Sequence, residues 1–316
     1  MNIQHIISTM TLEDKISLCT GGDFWHTKAM PQYGIPAIMM SDGPHGLRCQ
    51  TAEADMIGVN ESIPATCFPT AVTAGATWSP ELYAREGMAI GREGAAANVP
   101  VVLGPGCNIK RNPLGGRNFE YISEDPYIAG KMAGAFIRGQ QSTGVASSLK
   151  HFAVNSQEYK RQNGDSQLDE RTLREIYLTA FVIAVKEGKP GTVMCSYNKI
   201  NGTHASDSKE LLTDILRTLP VHAARYVRAL LMQCREDTAT LCFELICCLR
   251  VTDTRYRLTS HALHIHIFLT RNLTGNNHLT GRYHRLARHM RVGVLCQEIV
   301  ENSVADLVCH FVGVSF

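Results

Sequence analysis

Four polar clusters in this sequence, each just after a short apolar run, hold side chains able to do chemistry. In Ser41-Asp42-Gly43-Pro44-His45-Gly46-Leu47-Arg48, Asp42 supplies an acceptor, Gly43 and Pro44 force a turn, and Arg48 supplies a forked donor. That pair suits the rim of a pocket for a polyhydroxylated ligand; alternatively Asp42 bonds the amides of its own turn. The stretch 104–126 is glycine-rich and too long for a mere connector. Its Arg111, Arg117, Glu120, Glu124 and Asp125 could form a network holding one arginine toward a ligand, whereas a solvated loop explains the glycines but less well the charges. Lys150-His151, followed by Asn155, Gln157 and Glu158, places two donors side by side. They fit sugar hydroxyls, at about 1.5–3 kcal/mol for a well-made charge-assisted bond, or they are an exposed lysine beside a core histidine. In Met194-Cys195-Ser196-Tyr197-Asn198, Met194 and Tyr197 could line an apolar wall for a pyranose ring. Cys195 has no general base marked for it and reads as a buried thiol.

The elements that must position these clusters alternate. Short strands are expected at 36–40, 99–103, 145–149 and 192–195, each ending in one of the clusters. Helical signals lie between them. Thr11-Leu12-Glu13-Asp14 resembles a capping box, and Ser79-Pro80-Glu81 sets a capping hydroxyl, a first-turn proline and an acid in order. Further helices are expected from Glu124 or Asp125 to Gln140, from Asp169 to Lys189 and from Asp207 to Arg217. In the second of these Leu173, Ile176, Tyr177, Ala180 and Ala184 would form one apolar stripe. The pattern is that of a parallel α/β domain, and in a (β/α) barrel the strand ends that carry the polar clusters are where chemistry takes place.

Composition narrows the function classes. The 316 residues are 44% hydrophobic and 19% charged, as in a globular chain rather than a disordered or fibrous one. Net charge is +2, too small a field to argue for nucleic acid or anionic lipid. No apolar run reaches membrane-span length and the first residues lack a basic, then apolar, leader, so the chain is expected to be soluble, unexported and cytoplasmic, with no membrane partner. Its 11 irregularly spaced cysteines then read as reduced thiols. The dinucleotide fingerprint fails because Ile109 stands where its third glycine belongs. Zinc-protease, redox Cys-x-x-Cys, serine-hydrolase and Walker motifs are absent from the sequence, and no cofactor is expected.

A compositional break falls at Arg217. All 12 prolines lie at or before Pro220 and all 10 lysines at or before Lys209, while 8 of the 13 histidines and 6 of the 11 cysteines follow Pro220. Residues 1–217 carry 20 basic and 22 acidic side chains, net −2; residues 218–316 carry 11 arginines and 7 acids, net +4. The tail has few turn residues and no clear caps and is expected to be irregular, although 221–249 is apolar enough for a helix and His264-Ile265-His266-Ile267 alternates like a short strand.

Residues 11–217 resemble the N-terminal domain of glycoside hydrolase family 3, the β-glucosidase and β-xylosidase type. The matching stretches, in order, are 41–48, Phe68-Pro69 with Ala76-Thr77-Trp78, Gly104-Pro105-Gly106 through Glu124-Asp125-Pro126-Tyr127, Lys150-His151-Phe152-Ala153, Asp169-Glu170-Arg171 with Leu173-Arg174-Glu175-Ile176-Tyr177, and 194–198. The resemblance implies a (β/α)8 TIM-barrel-like domain, here incomplete, with a glucose subsite made by Asp42, Arg48, Arg117, Lys150, His151 and Tyr197 and with Met194 beside the ring. It implies a small-molecule β-glucoside or oligosaccharide as partner and, in intact relatives, retaining hydrolysis of terminal β-D-glucosidic bonds. It disfavours the N-acetylglucosaminidase branch, since Ala153-Val154-Asn155 stands where that branch has a Pro-Gly-His-Gly type loop.

The family's nucleophile is an Asp in a Ser-Asp-Trp type motif after the helix that begins near Asp207, and its acid/base Glu comes from a following domain. Neither can be placed in this sequence. Residues 218–316 contain no Trp, and Asp237 and Asp253 stand in no strand-end context. A retaining mechanism needs two carboxyl groups about 5–5.5 Å apart, so the chain is expected to be inactive or impaired, with a non-catalytic carbohydrate-binding remnant as the alternative. The tail is expected to be a shifted reading frame or artefactual fusion. A metal or nucleic-acid module built from Cys242, Cys247, Cys248, His264 and His266 or from the arginines is a third reading, although the Cys242 to Cys247 spacing misses the Cys-x₂₋₄-Cys of structural zinc sites.

Overall fold

The computed structural model describes residues 3–50 and 60–217 and a strand at 228–230. The chain divides into two compact units, residues 1–19 with 234–316, and residues 20–233. In the first unit two short helices are described, α1 (Ile3–Thr9) and α2 (Leu12–Leu18). The capping signal at Thr11 is realised: its Oγ1 accepts from the Asp14 N–H at 3.1 Å and donates to the Asp14 carboxylate at 3.0 Å.

The second unit runs β1 (Met40–Asp42), α3 (Ala71–Ala76), α4 (Pro80–Ala96), β2 (Val101–Leu103), α5 (Pro126–Gln141), β3 (Ala146–Phe152), β4 (Asp165–Ser166), α6 (Glu170–Thr172), α7 (Thr179–Gly188), β5 (Thr192–Cys195), β6 (Lys199–Ile200), β7 (Thr203–His204) and β8 (Arg228–Leu230). Five strands form one parallel sheet in the order β1-β2-β3-β5-β8. Its register is Met40 beside Val101, Val101 beside Ala146, Ser148 beside Thr192 and Thr192 beside Arg228. Parallel neighbours need a crossover, which α4, α5 and α7 supply for the first three pairs. A small second sheet, β4-β6-β7, forms beside the loops that follow β3 and β5.

Side chains alternate across the parallel sheet. Val102, Leu149 and Val193 join Tyr83, Phe136 and Phe181 of the helices in the larger core, while Val101, Leu103, Ala146 and Met194 pack with Trp25 on the other face. Burial on both sides is why these strands read as continuous apolar runs. The helix starts work as expected: Ser79 Oγ accepts from the Leu82 N–H ahead of Pro80, and Asp125 Oδ1 from the Ile128 N–H at 2.8 Å ahead of Pro126. Helices α4 and α5 touch through Tyr83 and Phe136, with ring centroids 4.9 Å apart, and through Gly139, where a Cβ would run into the Ala84 carbonyl.

Four sequence expectations are corrected. The first strand begins at Met40 rather than Pro36, because the preceding residues pair instead with the segment around Trp25: the Thr27 N–H donates to the Ile38 carbonyl at 2.9 Å and the Met40 N–H to the Trp25 carbonyl at 2.7 Å. The helix expected over 169–189 is broken by a π-helical stretch, Leu173–Tyr177, in which the Leu178 N–H reaches back five residues to the Leu173 carbonyl. The wider turn takes Ile176 out of the apolar stripe and leaves it 38% exposed, while Leu173, Ala180 and Ala184 stay buried. The segment 207–217 is likewise a 3₁₀ turn, Ala205–Asp207, then a π-helical stretch, Glu210–Ile215, started by Ser208, whose Oγ accepts from the Leu211 N–H. Within 221–249, residues 228–230 form β8 instead of helix; the rest of that expectation and the strand at 264–267 lie outside the described residues.

Candidate active site

The clusters sit at the C-terminal ends of the parallel strands, and the local turns fix them there. Asp42 ends β1, after which the chain doubles back so that the Arg48 N–H donates to the Asp42 carbonyl at 2.9 Å and Ser41 Oγ donates to the Arg48 carbonyl at 2.8 Å. That reversal needs Gly46 at φ +140, with the Thr66 carbonyl against its Cα where a side chain would stand. The loop after β2 lies along β3: the Lys150 N–H donates to the Pro105 carbonyl at 3.0 Å, and the Cys107 N–H to the Lys150 carbonyl at 2.9 Å.

Lys150, almost fully buried at the end of β3, has its Nζ 3.3 Å from Glu120 Oε2 and 3.5 Å from Asp42 Oδ1. Glu120 is gripped on its other oxygen by Arg117 Nε. Four charges, two of each sign, thus form one chain from Arg117 through Glu120 and Lys150 to Asp42. Burial alone would push the Glu120 carboxyl up, but Lys150 and Arg117 outweigh it and hold it below the ordinary glutamate value. Asp42 differs from Glu120 in keeping 37% of its side chain exposed. Arg117 keeps a buried Nη1 with no hydrogen-bond partner. Such an orphaned donor is uncommon in a folded interior and marks a place for an acceptor.

His151 is clamped on its backbone by Asn108, whose Oδ1 accepts from the His151 N–H at 2.7 Å and whose Nδ2 donates to the His151 carbonyl at 2.9 Å. The His151 Nδ1 lies 2.9 Å from the Tyr121 hydroxyl. Burial, and after it the positive charges of Arg117, Lys150 and Arg161, hold this imidazole well below its ordinary value, so it is neutral at pH 7. Tyr197 is half-buried with the Arg161 guanidinium 4.8 Å from its ring centroid, and Arg161 Nε lies 3.3 Å from Glu158. Met194 packs on the face of β5 away from the larger core, with Leu103, Ala146 and Trp25.

The structure therefore links Arg117 to Lys150 through Glu120, and Lys150 directly to Asp42. Arg48 joins them by its backbone at Asp42, and His151 by chain adjacency to Lys150. Tyr197 connects through Arg161, one of the charges that act on His151. Of the network expected in the 104–126 loop, Arg117 and Glu120 belong to this cluster. Arg111 and Glu124 are exposed, and Asp125 serves as the cap of α5. Tyr121 and Asn108, which hold His151, carried no signal of their own in the sequence. Cys195 is buried. Among the described residues no group of three or more His, Cys, Asp or Glu side chains could hold a metal ion, and no helix is long and apolar enough to cross a membrane. The cysteines and histidines of the 242–266 reading lie outside the described residues.

The family model for the glycosyl hydrolase family 3 N-terminal domain matches residues 25–219. A thermostable β-glucosidase B of Acetivibrio thermocellus is 53% identical over 222 residues, which are 70% of this chain and 29% of that protein. An exo-α-(1→6)-L-arabinopyranosidase of Bifidobacterium longum is 51% identical over 212 residues, 67% of this chain and 28% of its own length. Among solved structures, β-glucosidase 3B of Thermotoga neapolitana in complex with α-D-glucose superposes with a TM-score of 0.63 at 42% identity, covering 68% of this chain and 32% of that one. The chain thus spans less than a third of the length of these relatives. With strand-end clusters on a parallel sheet and a family match over most of its length, the chain belongs to glycosyl hydrolase family 3.

Proposed function

We propose that the strand-end cluster is the glucosyl-binding subsite of a β-glucosidase-type hydrolase. In this reading Asp42, Arg48, Arg117, Lys150, His151 and Tyr197 grip the hydroxyls and Met194 lies beside the ring. The five parallel strands are then part of a (β/α)8 barrel, and the partner is a small β-glucoside or oligosaccharide. One observation carries the reading: the two cations, Arg117 and Lys150, are balanced by Glu120 and Asp42, and His151 is neutral. With Arg48 counted, three cations face Glu120 and Asp42, so all but one of the site's charges are compensated within it, and a neutral polyhydroxylated ligand suits it better than a strongly anionic one. Its unpartnered Arg117 N–H and half-open Asp42 carboxylate offer a donor and an acceptor for hydroxyls that must do both. The relatives' names support the substrate class, since they include β-glucosidases, one of them solved with glucose.

Residues 1–217 are, in this proposal, the family's barrel segment, and 218–316 a divergent tail from a shifted reading frame, which explains the simultaneous loss of lysine and proline. No Ser-Asp-Trp motif follows the Glu210–Ile215 segment, so the 316 residues grip sugar without an identifiable nucleophile or acid/base. Two assays on the purified chain decide between hydrolysis and binding. Calorimetry with glucose is expected to show binding that Asp42→Ala abolishes, and a chromogenic β-glucoside is expected to remain uncleaved. Turnover on the order of 10 per second would show that the tail supplies a nucleophile. An intact frame encoding the same tail in independent isolates of the gene would reject the shifted frame.

A further inference from the structure

We infer that Tyr121 is a positioning residue that locks His151 as a hydrogen-bond donor through Nε2–H, so that the ring offers its ligand a donor and never an acceptor. The inference rests on heavy-atom geometry and on the direction each bond must take. Glu158, ion-paired with Arg161 at 3.3 Å, is a carboxylate and can only accept. It lies 3.1 Å from the Asn155 side-chain amide, so the atom facing it is the NH₂ group; the amide oxygen there would meet the carboxylate with like polarity. The same Nδ2 lies 3.0 Å from the Tyr121 oxygen, which therefore accepts from Asn155. The Tyr121 proton is then left for its other neighbour, His151 Nδ1, at 2.9 Å. Nδ1 must accept, and the single proton of a neutral imidazole goes to Nε2.

Two features keep the relay in this state. Burial holds the Tyr121 phenol well above its ordinary value, so its O–H is present to donate, and burial, helped by the cations around it, keeps the His151 ring neutral. The Asn108 clamp on both backbone polar groups of His151 fixes where the ring starts.

A consequence follows for recognition, resting on the sugar-binding reading above. Arg117 and Lys150 can only donate, and His151 now joins them, which leaves the Asp42 carboxylate as the acceptor among these four. A hydroxyl held by His151 must use its oxygen there and send its own proton elsewhere.

The test is ¹⁵N NMR of the full chain without ligand, with His151 assigned by difference against His151→Gln. The two nitrogens are told apart because Nε2 couples to both ring protons. The expected result is an acceptor-type Nδ1 and a protonated Nε2 at neutral pH; a proton on Nδ1, or on both nitrogens, overturns the inference. Tyr121→Phe removes the donor, so the Nδ1 resonance must move, and glucose affinity is expected to weaken about three- to tenfold. An unmoved Nδ1 in that variant also overturns it. If wild-type chain gives the expected nitrogen pattern but no heat with glucose, the sugar reading fails and the tautomer assignment stands.

Discussion

Removing one carboxylate should destabilise this molecule more than removing the lysine it binds. Glu120, 2% exposed, lies between Arg117 and Lys150, whose side chains are themselves largely shielded from water. Glu120→Gln keeps the shape and deletes the charge, leaving the two cations with Asp42, 3.5 Å from Lys150 and partly in solvent, and with the weaker field of Glu158 on Arg117. Stripping one partner from a buried ion pair costs about 3–5 kcal/mol. Lys150→Met leaves a different remainder: Glu120 still has Arg117, Asp42 still has water, and the methionine fills the space of the lysine stem. Its cost should be nearer 1–2 kcal/mol, that of a lost charge-assisted hydrogen bond. Urea unfolding of the full chain at pH 7 with an unchanged slope would measure both. The acid side adds a second readout. Because Glu120 is held below its ordinary value in the folded state, its stabilisation is complete above the unfolded value of about 4.3 and is lost as pH falls through the lower folded value. Glu120→Gln should flatten that part of the stability profile, and Lys150→Met should weaken it without removing it. A Lys150→Met cost equal to or greater than that of Glu120→Gln would refute the view that Glu120 is the centre of the charge chain.

Two further substitutions probe the scaffold. Gly139→Ala would drive a methyl into the Ala84 carbonyl and part α4 from α5, at a cost of about 1–3 kcal/mol in the same assay; a change below about 0.5 kcal/mol would mean the helices separate freely. Glu86, on α4, has a buried Oε1 without a hydrogen-bond partner, and burial raises its carboxyl to about 7. A raised folded value contributes stability below the unfolded value of about 4.3 and loses it as pH rises through about 7. Glu86→Gln should therefore stabilise the chain above pH 7, by on the order of 1 kcal/mol after solvent screening, and leave it unchanged below about pH 4. Equal effects at both ends would reject the assignment.

What could be read from the sequence and what could not follows from the range of the forces involved. The parallel strands were legible because burial on both faces writes an uninterrupted apolar run, and the helix starts at Pro80 and Pro126 because a cap is satisfied within three residues. The π-helical stretches were not, since a turn with one extra residue alters no local preference and shows only as Ile176 falling off the buried stripe. The site divides the same way. Arg117 and Glu120, three residues apart in one loop, announce each other by charge. Asn108 and His151 are 43 positions apart, and Tyr121 and His151 30, joined by neutral hydrogen bonds that no periodicity records. The residues proposed to grip a ligand were thus visible as types at strand ends, whereas those that hold His151 were visible only once the chain had folded. That division also explains why losing the Tyr121 hydroxyl should be mild for stability yet specific for the tautomer: the Asn108 clamp holds the backbone of His151 whatever the ring does, and only the relay from Glu158 through Asn155 sets the direction of its bond.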